Sequence, residues 1–140
     1  MAQEAPDLKT AVRLYQEVMT RADVERDALW LPQDVTTVDE TTILPLVLRE
    51  SWDRRLPVFS SSFSHVRRGV LFSLFPDNLG LGRNLAGTAL GLAGPSESGN
   101  RSVVPLRDVQ MAVNLRTARH LGLNFTTRQQ QGFDLVFSGQ

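Results

Sequence analysis

Residues 56–90 read LPVFSSSFSHVRRGVLFSLFPDNLGLGRNLAGTAL, and this stretch decides the fold class. Pro57 to Ser60 is a short apolar run between a proline and a serine cluster, too brief for a helix, and reads as a buried strand. Its serine-rich exit, Ser60-Ser61-Ser62, is the polar start of a short helix that Gly69 ends. Val70 to Phe75 is β-branched and aromatic, the composition of a further strand. Asp77 or Asn78 then caps a helix carrying Leu81, Leu85, Ala86, Ala89 and Leu90. Gly80, Gly82, Gly87 and Gly91 weaken that helix by about 1 kcal/mol each relative to alanine, so close packing is expected to compensate.

The alternation continues on both sides. Upstream, Leu8, Ala11, Val12, Tyr15, Val18, Met19 and Ala22 recur at three- and four-residue intervals, the stripe of one buried helix face. Ala28 to Leu31 is a short buried strand stopped by Pro32. Thr41 or Thr42 caps a helix with Pro45 in its first turn and Leu44, Val47, Leu48, Ser51 and Trp52 on one side. Downstream, AGPSESGN (residues 93–100) forms a loop by composition, and Val109, Met111 and Val113 alternate as in a strand. Asn114 caps a short helix with Leu115, Ala118 and Leu121, closed by Gly122. Thr126 with Gln129, or Thr127 with Gln130, is a capping-box pattern for a last helix expected to hold Phe133 and Val136. The expected fold is α/β, a mainly parallel sheet with helices on both faces and a ligand crevice beyond the C-terminal ends of the strands. No internal repeat is evident.

At 140 residues the chain amounts to one domain or one lobe of something larger. With 41% hydrophobic and 21% charged residues it is too apolar for a disordered linker. The absence of cysteine excludes disulfides, thiol nucleophiles, zinc ribbons and iron–sulfur clusters. Its apolar runs fall far short of the ~20 residues that cross a bilayer, and the start MAQEAPDLK lacks a signal-peptide pattern, so a soluble chain is expected. Fifteen basic and fifteen acidic residues cancel. They are unevenly placed, because residues 1–53 carry −6 and residues 54–140 carry +6. The arginines of the basic half are dispersed without aromatic interleaving, which argues for a solvated surface or pairing between the halves and against a nucleic-acid partner.

Three strand ends offer chemistry. After the first, Asp34 and Thr36 present a carboxylate and a hydroxyl to a small solute, although a loop Asp can equally satisfy nearby backbone amides. After the second, Ser60, Ser61 and Ser62 combine hydroxyls with a helix start, a setting for a carboxylate or simply a cap. After the third, Asp77 has the same two roles open to it. No GxSxG elbow accompanies the serines, and His65 lies a few residues from them on one turn, so no catalytic triad is expected. Neither His65 nor His120 has a second ligand at metal spacing, and both read as surface or capping residues. Gly80-Leu81-Gly82 follows Asn78, not a strand exit, which argues against a nucleotide site; no cofactor and no metal are expected.

These residues together carry a resemblance. The stretch 56–90, with its P-V-F strand, V-x-x-G-x-L, Asp-bearing turn and L-G-R, resembles ABC-transporter substrate-binding proteins of the tryptophan/tyrosine-binding group. MAVNLRTARHLGL (residues 111–123) is similar to that family's strand, Asn-Leu and A-x-x-L-G ending, and WLPQDVTTV (residues 30–38) to its P-x-D-N segment, with Thr36 where Asn is common. The resemblance runs from about Asp7 to the end, residues 1–6 being a lead. It implies the type I periplasmic-binding-protein fold: two α/β lobes, a solute between them and delivery to an ABC permease in the membrane. Residues 7–140 are too few for both lobes and resemble the second lobe plus segments returning toward the first, so the family's opening half, with the first lobe, is expected to be missing. The resemblance further implies a periplasmic protein that performs no catalysis and takes a small polar solute, an amino acid being the leading class. Carried over by position, the site residues are Asp34 and Thr36, Ser60, Ser61 and Ser62, and Asp77, with Asp34 toward an amino group and the serines toward a carboxylate or hydroxyl. The other reading is a ligand-sensing or scaffold module of the same fold.

Overall fold

The computed structural model describes residues 5–34, 38–92, 105 and 107–138. In chain order the elements are α1 (Leu8–Arg21), β1 (Leu29–Leu31), α2 (Ile43–Arg54), β2 (Val58–Ser60), α3 (Phe63–Arg68), β3 (Phe72–Pro76), α4 (Asn78–Leu92), β4 (Val109–Asn114), α5 (Leu115–His120), α6 (Thr127–Gln130) and β5 (Leu135–Phe137). The strands form one five-stranded sheet in sequential order. β1, β2 and β3 are mutually parallel, β4 is antiparallel to β3, and β5 is parallel to β4. The molecule is thus α/β with a mainly parallel sheet flanked by helices, as the sequence alternation implies.

Local chemistry starts the elements where the sequence places them. The Asp7 carboxylate accepts the Thr10 N–H at 2.7 Å and begins α1, whose stripe buries Ala11 and Met19. Asn114 ends β4 and accepts the N–H groups of Arg116 and Thr117, so one residue closes a strand and opens a helix. α2 differs in detail: Thr42 makes no side-chain cap, and the Asp39 carboxylate instead takes the Thr41 and Thr42 amides. α3 stops at Gly69, whose φ of 129° is open to glycine and strained for other residues.

Two expectations need correction. The capping box at Thr126 and Gln129 forms, but α6 spans only four residues; Phe133 lies beyond it and Val136 sits in β5. The apolar run Leu135–Phe137 finds strand pairing with β4, which tertiary context favours over prolonging a one-turn helix. α4 forms where expected, yet Gly82, Gly87 and Gly91 meet nothing within 4 Å; only Gly80 is closely approached, by Asp77 and Asp108. The loop expected over residues 93–100 lies outside the described residues.

Strand register sorts the sheet into two faces. One row, Leu31, Ser60, Ser73 and Ala112, is buried and lies in or beside the core of Met19, Ile43, Leu44, Val47 and Val66 contributed by α1, α2 and α3. Each such fully buried aliphatic side chain stabilises the fold by about 1.5–3 kcal/mol relative to its exposed state. The neighbouring row, Trp30, Phe59, Phe72, Val113 and Val136, lies on the other face. There Trp30 is 55% exposed, Phe59 and Leu74 are exposed as well, and Phe133 leans against Phe72 with Phe125 against Phe133. Coverage of the two faces is therefore unequal.

At the far end of the sheet α5 is fastened to α2. The Trp52 and His120 rings stack at 3.7 Å, and His120 Nε2 lies 2.8 Å from the Trp52 carbonyl, which fixes the proton on that nitrogen because a carbonyl only accepts. The Arg116 guanidinium sits over the Trp52 ring. The charge asymmetry resolves mostly onto solvent, with Arg54–Glu50 and Arg68–Glu40 pairing across the two halves.

Candidate functional site

Because β1, β2 and β3 run parallel, the segments that follow them emerge at one edge. Leu31, Ser60 and Ser73 share a register row, and the candidate residues all lie past it in the same direction. Asp34 is three residues beyond its strand's member of that row, Ser61 and Ser62 are one and two beyond, and Asp77 is four beyond. At roughly 3.3 Å per residue the rim is stepped, with Asp77 furthest out at about 13 Å.

After β1, Pro32 ends the strand; the Asp34 N–H donates to the Pro32 carbonyl at 3.1 Å, and the Asp34 carbonyl accepts the Val38 N–H at 2.8 Å. Asp34 is exposed on this loop, and Thr36 lies outside the described residues. After β2, the Ser61 N–H donates to Leu31 and its Oγ accepts the Trp30 indole N–H at 3.2 Å, which joins the serine turn to β1. The Ser62 and Ser64 hydroxyls are 2.8 Å apart. After β3, the Asp77 N–H donates to Asp108, while its carboxylate accepts the Leu79 N–H at 3.1 Å and so supports the start of α4. Asp77 thus has a structural duty alongside any role at the rim.

Ser60 departs from the expectation that it faces a solute. It is 2% exposed, in the row that points into the core, so its hydroxyl serves the turn and not the rim. The Oγ accepts the Ser62 N–H at 3.1 Å and lies 2.8 Å from His65 Nδ1. His65, expected on the surface or as a cap, is buried, and its Nε2 faces a Glu40 carboxylate oxygen at 3.7 Å. Burial holds the imidazole below its ordinary pKa, opposed by Glu40 and reinforced by Arg68. Ser, His and Glu in line resemble a hydrolytic relay, yet the hydroxyl is sealed into the core and already receives an amide proton, so no substrate carbonyl reaches it. The signal for His65 was its spacing: five residues past Ser60 across a tight turn into a helix returns the ring over the serine. Next to Ser60 in register, the buried Ser73 hydroxyl has no hydrogen-bond partner among the described residues.

Beside the rim, Trp30, Phe59, Ser61, Leu74, Phe125 and Phe133 line an open apolar depression of about 720 Å³. Among the described residues, no group of three or more His, Asp or Glu side chains is placed to hold a metal ion, and no helix is long and apolar enough to cross a membrane.

No family model matches the chain, and no curated protein matches it. Solved structures do. An ABC domain in complex with L-Trp from Streptococcus pneumonia superposes with a TM-score of 0.61 at 18% identity, over 95% of this chain and 43% of that one. A substrate binding protein with adhesive properties from Clostridium difficile, in a ligand-free, open structure, gives 0.61 at 16% identity, over 94% and 41%. A conserved domain protein from Vibrio cholerae O1 biovar eltor gives 0.59 at 18%, over 94% and 42%. The chain spans about two fifths of the length of each. At these identities the likeness shows the fold alone: an α/β unit with a mainly parallel sheet, shared with part of each of those chains.

Proposed function

We propose that this chain is one lobe of the solute-binding component of an ABC transport system, and that it holds a small polar solute against a second lobe. The single observation that carries the reading is the convergence of three parallel strand ends on one rim, with Asp34, Ser61, Ser62 and Asp77 on the segments beyond them, in a fold shared with a substrate binding protein. Asp34 and Thr36 receive an ammonium group, and Ser61 and Ser62 a carboxylate or hydroxyl; Asp77 borders the site. An amino acid is the leading solute class, since it brings both charges and since one structural neighbour was solved with L-Trp. No bond is made or broken: the solute favours the closed pair of lobes through contacts that exist only there, and the closed form is what an extracytoplasmic permease face reads.

Support for a missing lobe comes from surface that this chain leaves uncovered. β1 pairs on one side only among the described strands, the Trp30 and Phe59 face is open, and α4 keeps Leu79, Leu85 and Leu90 in solvent. Large exposed apolar patches on a soluble protein mark interaction surface. With one lobe, half of the solute contacts vanish while the ordering cost remains, so the chain alone binds weakly. The test is a thermal-shift screen of the full two-lobed protein against amino acids, sugars and nucleosides. An amino acid that raises the melting temperature, with the rise lost in Asp34→Ala, supports the reading. A flat screen favours a scaffold module, a role for which the exposed α4 and open sheet face would be docking surface.

A further inference from the structure

The serine turn and the segment before α2 meet at one side chain. Ser60 Oγ accepts the Ser62 N–H, so its own proton is directed to His65 Nδ1 at 2.8 Å. With Nδ1 accepting, the ring proton resides on Nε2, where it faces Glu40 Oε1 at 3.7 Å. Arg68 grips Glu40 as well, through Nη1 to Oε2 at 3.3 Å and Nη2 to the backbone carbonyl at 3.0 Å. Glu40 belongs to the segment before α2, where the Asp39 carboxylate receives the Thr41 and Thr42 amides. His65 is therefore hydrogen-bonded to the serine turn through one nitrogen and faces Glu40, in the segment before α2, with the other.

We propose that His65 is a positioning residue: its neutral imidazole takes the Ser60 hydroxyl proton and fixes the serine turn, and its protonated form pairs with Glu40 in the segment before α2, so that one proton acts on both at once. The coupling itself stands on this geometry; its consequence for solute rests on the binding reading. On protonation Nδ1 becomes a donor, Ser60 Oγ then receives two N–H groups, and the buried hydroxyl proton loses its acceptor. On the other side the new imidazolium attracts Glu40 Oε1, while Arg68 keeps Oε2. Glu40, from the turn before α2, and Arg68, from α3, are the charged groups acting on the ring; burial and Arg68 oppose its protonation and Glu40 favours it.

The test is a titration of the full chain followed by proton–nitrogen correlation spectra from about pH 8 to pH 5, a window that brackets an ordinary histidine. The expected result is an Nε2–H tautomer at the upper end, and Ser62 and Glu40–Thr42 amides that move with the His65 midpoint. His65→Asn keeps an acceptor near the Nδ1 position and removes the reach to Glu40. In that variant the Ser62 amide holds its place, and neither it nor the Glu40–Thr42 amides titrate. Glu40→Gln, on an exposed residue that leaves the core intact, lowers the His65 midpoint. Separate midpoints for the Ser62 and Glu40–Thr42 amides, or an unmoved His65 midpoint in Glu40→Gln, would overturn the coupling. An amino-acid panel titrated into the two-lobed protein is the second arm: absence of binding there removes the binding reading and leaves the coupling intact.

Discussion

The two faces of the sheet solve the same problem to different degrees. On one, α1, α2 and α3 cover a row that reads Leu31, Ser60, Ser73 and Ala112, and the buried Ser73 hydroxyl has no partner among the described residues. On the other, a row led by Trp30 and Phe59 stands open, and α4 runs its length with every described side chain but those of Gly80 and Leu81 exposed. Helical packing, not propensity, gives most helices their stability, so a glycine-rich helix that buries little is the least secured among the described elements. The contrast separates residues whose packing closes within the described structure from those left open.

The comparison is broken most decisively at leucines. Leu44→Ala, under the sealed face, is expected to cost about 2–5 kcal/mol in urea unfolding, against less than about 0.5 kcal/mol for Leu85→Ala on α4. Equal losses would mean that α4 is packed after all. Next in size is Asn114→Ala, expected to cost about 1–3 kcal/mol, because its amide donates to the Val66 carbonyl from a buried position while its oxygen caps α5. Within the sealed row the two serines should diverge: Ser60→Ala loses about 1 kcal/mol, whereas Ser73→Ala is neutral or stabilising because an unsatisfied hydroxyl disappears. On the open face, Phe59→Glu should change stability by no more than about 0.5 kcal/mol while reducing the binding of a hydrophobic dye.

The smallest effect is one of pH, and its sign follows from the buried imidazole. His65 has a folded-state pKa below the ordinary 6.5, so just under that value the unfolded chain takes up a proton that the folded chain refuses. Its contribution is complete above 6.5 and declines as pH falls through the window between 6.5 and the lower folded value. Asp7 and Asp39 are also held below their ordinary 3.8, chiefly by hydrogen bonds from Thr10 and Thr41, so their contributions disappear only at more acid pH. A stability curve measured in His65→Asn should lack the first decline and retain the second.

Much of the fold was legible because its signals are local. The stripe of α1, the caps at Asp7 and Asn114, the stop at Gly69 and the short apolar runs of β1, β2 and β4 each depend on a few neighbouring residues. β5 was not legible, since Leu135–Phe137 becomes a strand only through pairing with β4, a partner more than twenty residues away. The open face was missed for a related reason: periodicity shows which residues want cover and is silent on what supplies it. At the site, the sequence placed Asp34, Ser61, Ser62 and Asp77 after strands, and the parallel topology turned that into one rim. It misplaced Ser60 and His65, because alternation along β2 sends Ser60 inward, and the ring that satisfies it comes from the following helix.

The central claim is that the ends of β1, β2 and β3 form half of a clamp for a small solute. Calorimetric titration of the two-lobed protein, wild type beside Asp34→Ala, with the amino acid that most raises its melting temperature tests this most directly. The account predicts saturable one-to-one binding, weakened roughly tenfold or more by Asp34→Ala and unchanged by Leu85→Ala. Binding of equal strength in wild type, Asp34→Ala and Ser61→Ala would place the solute elsewhere and contradict it.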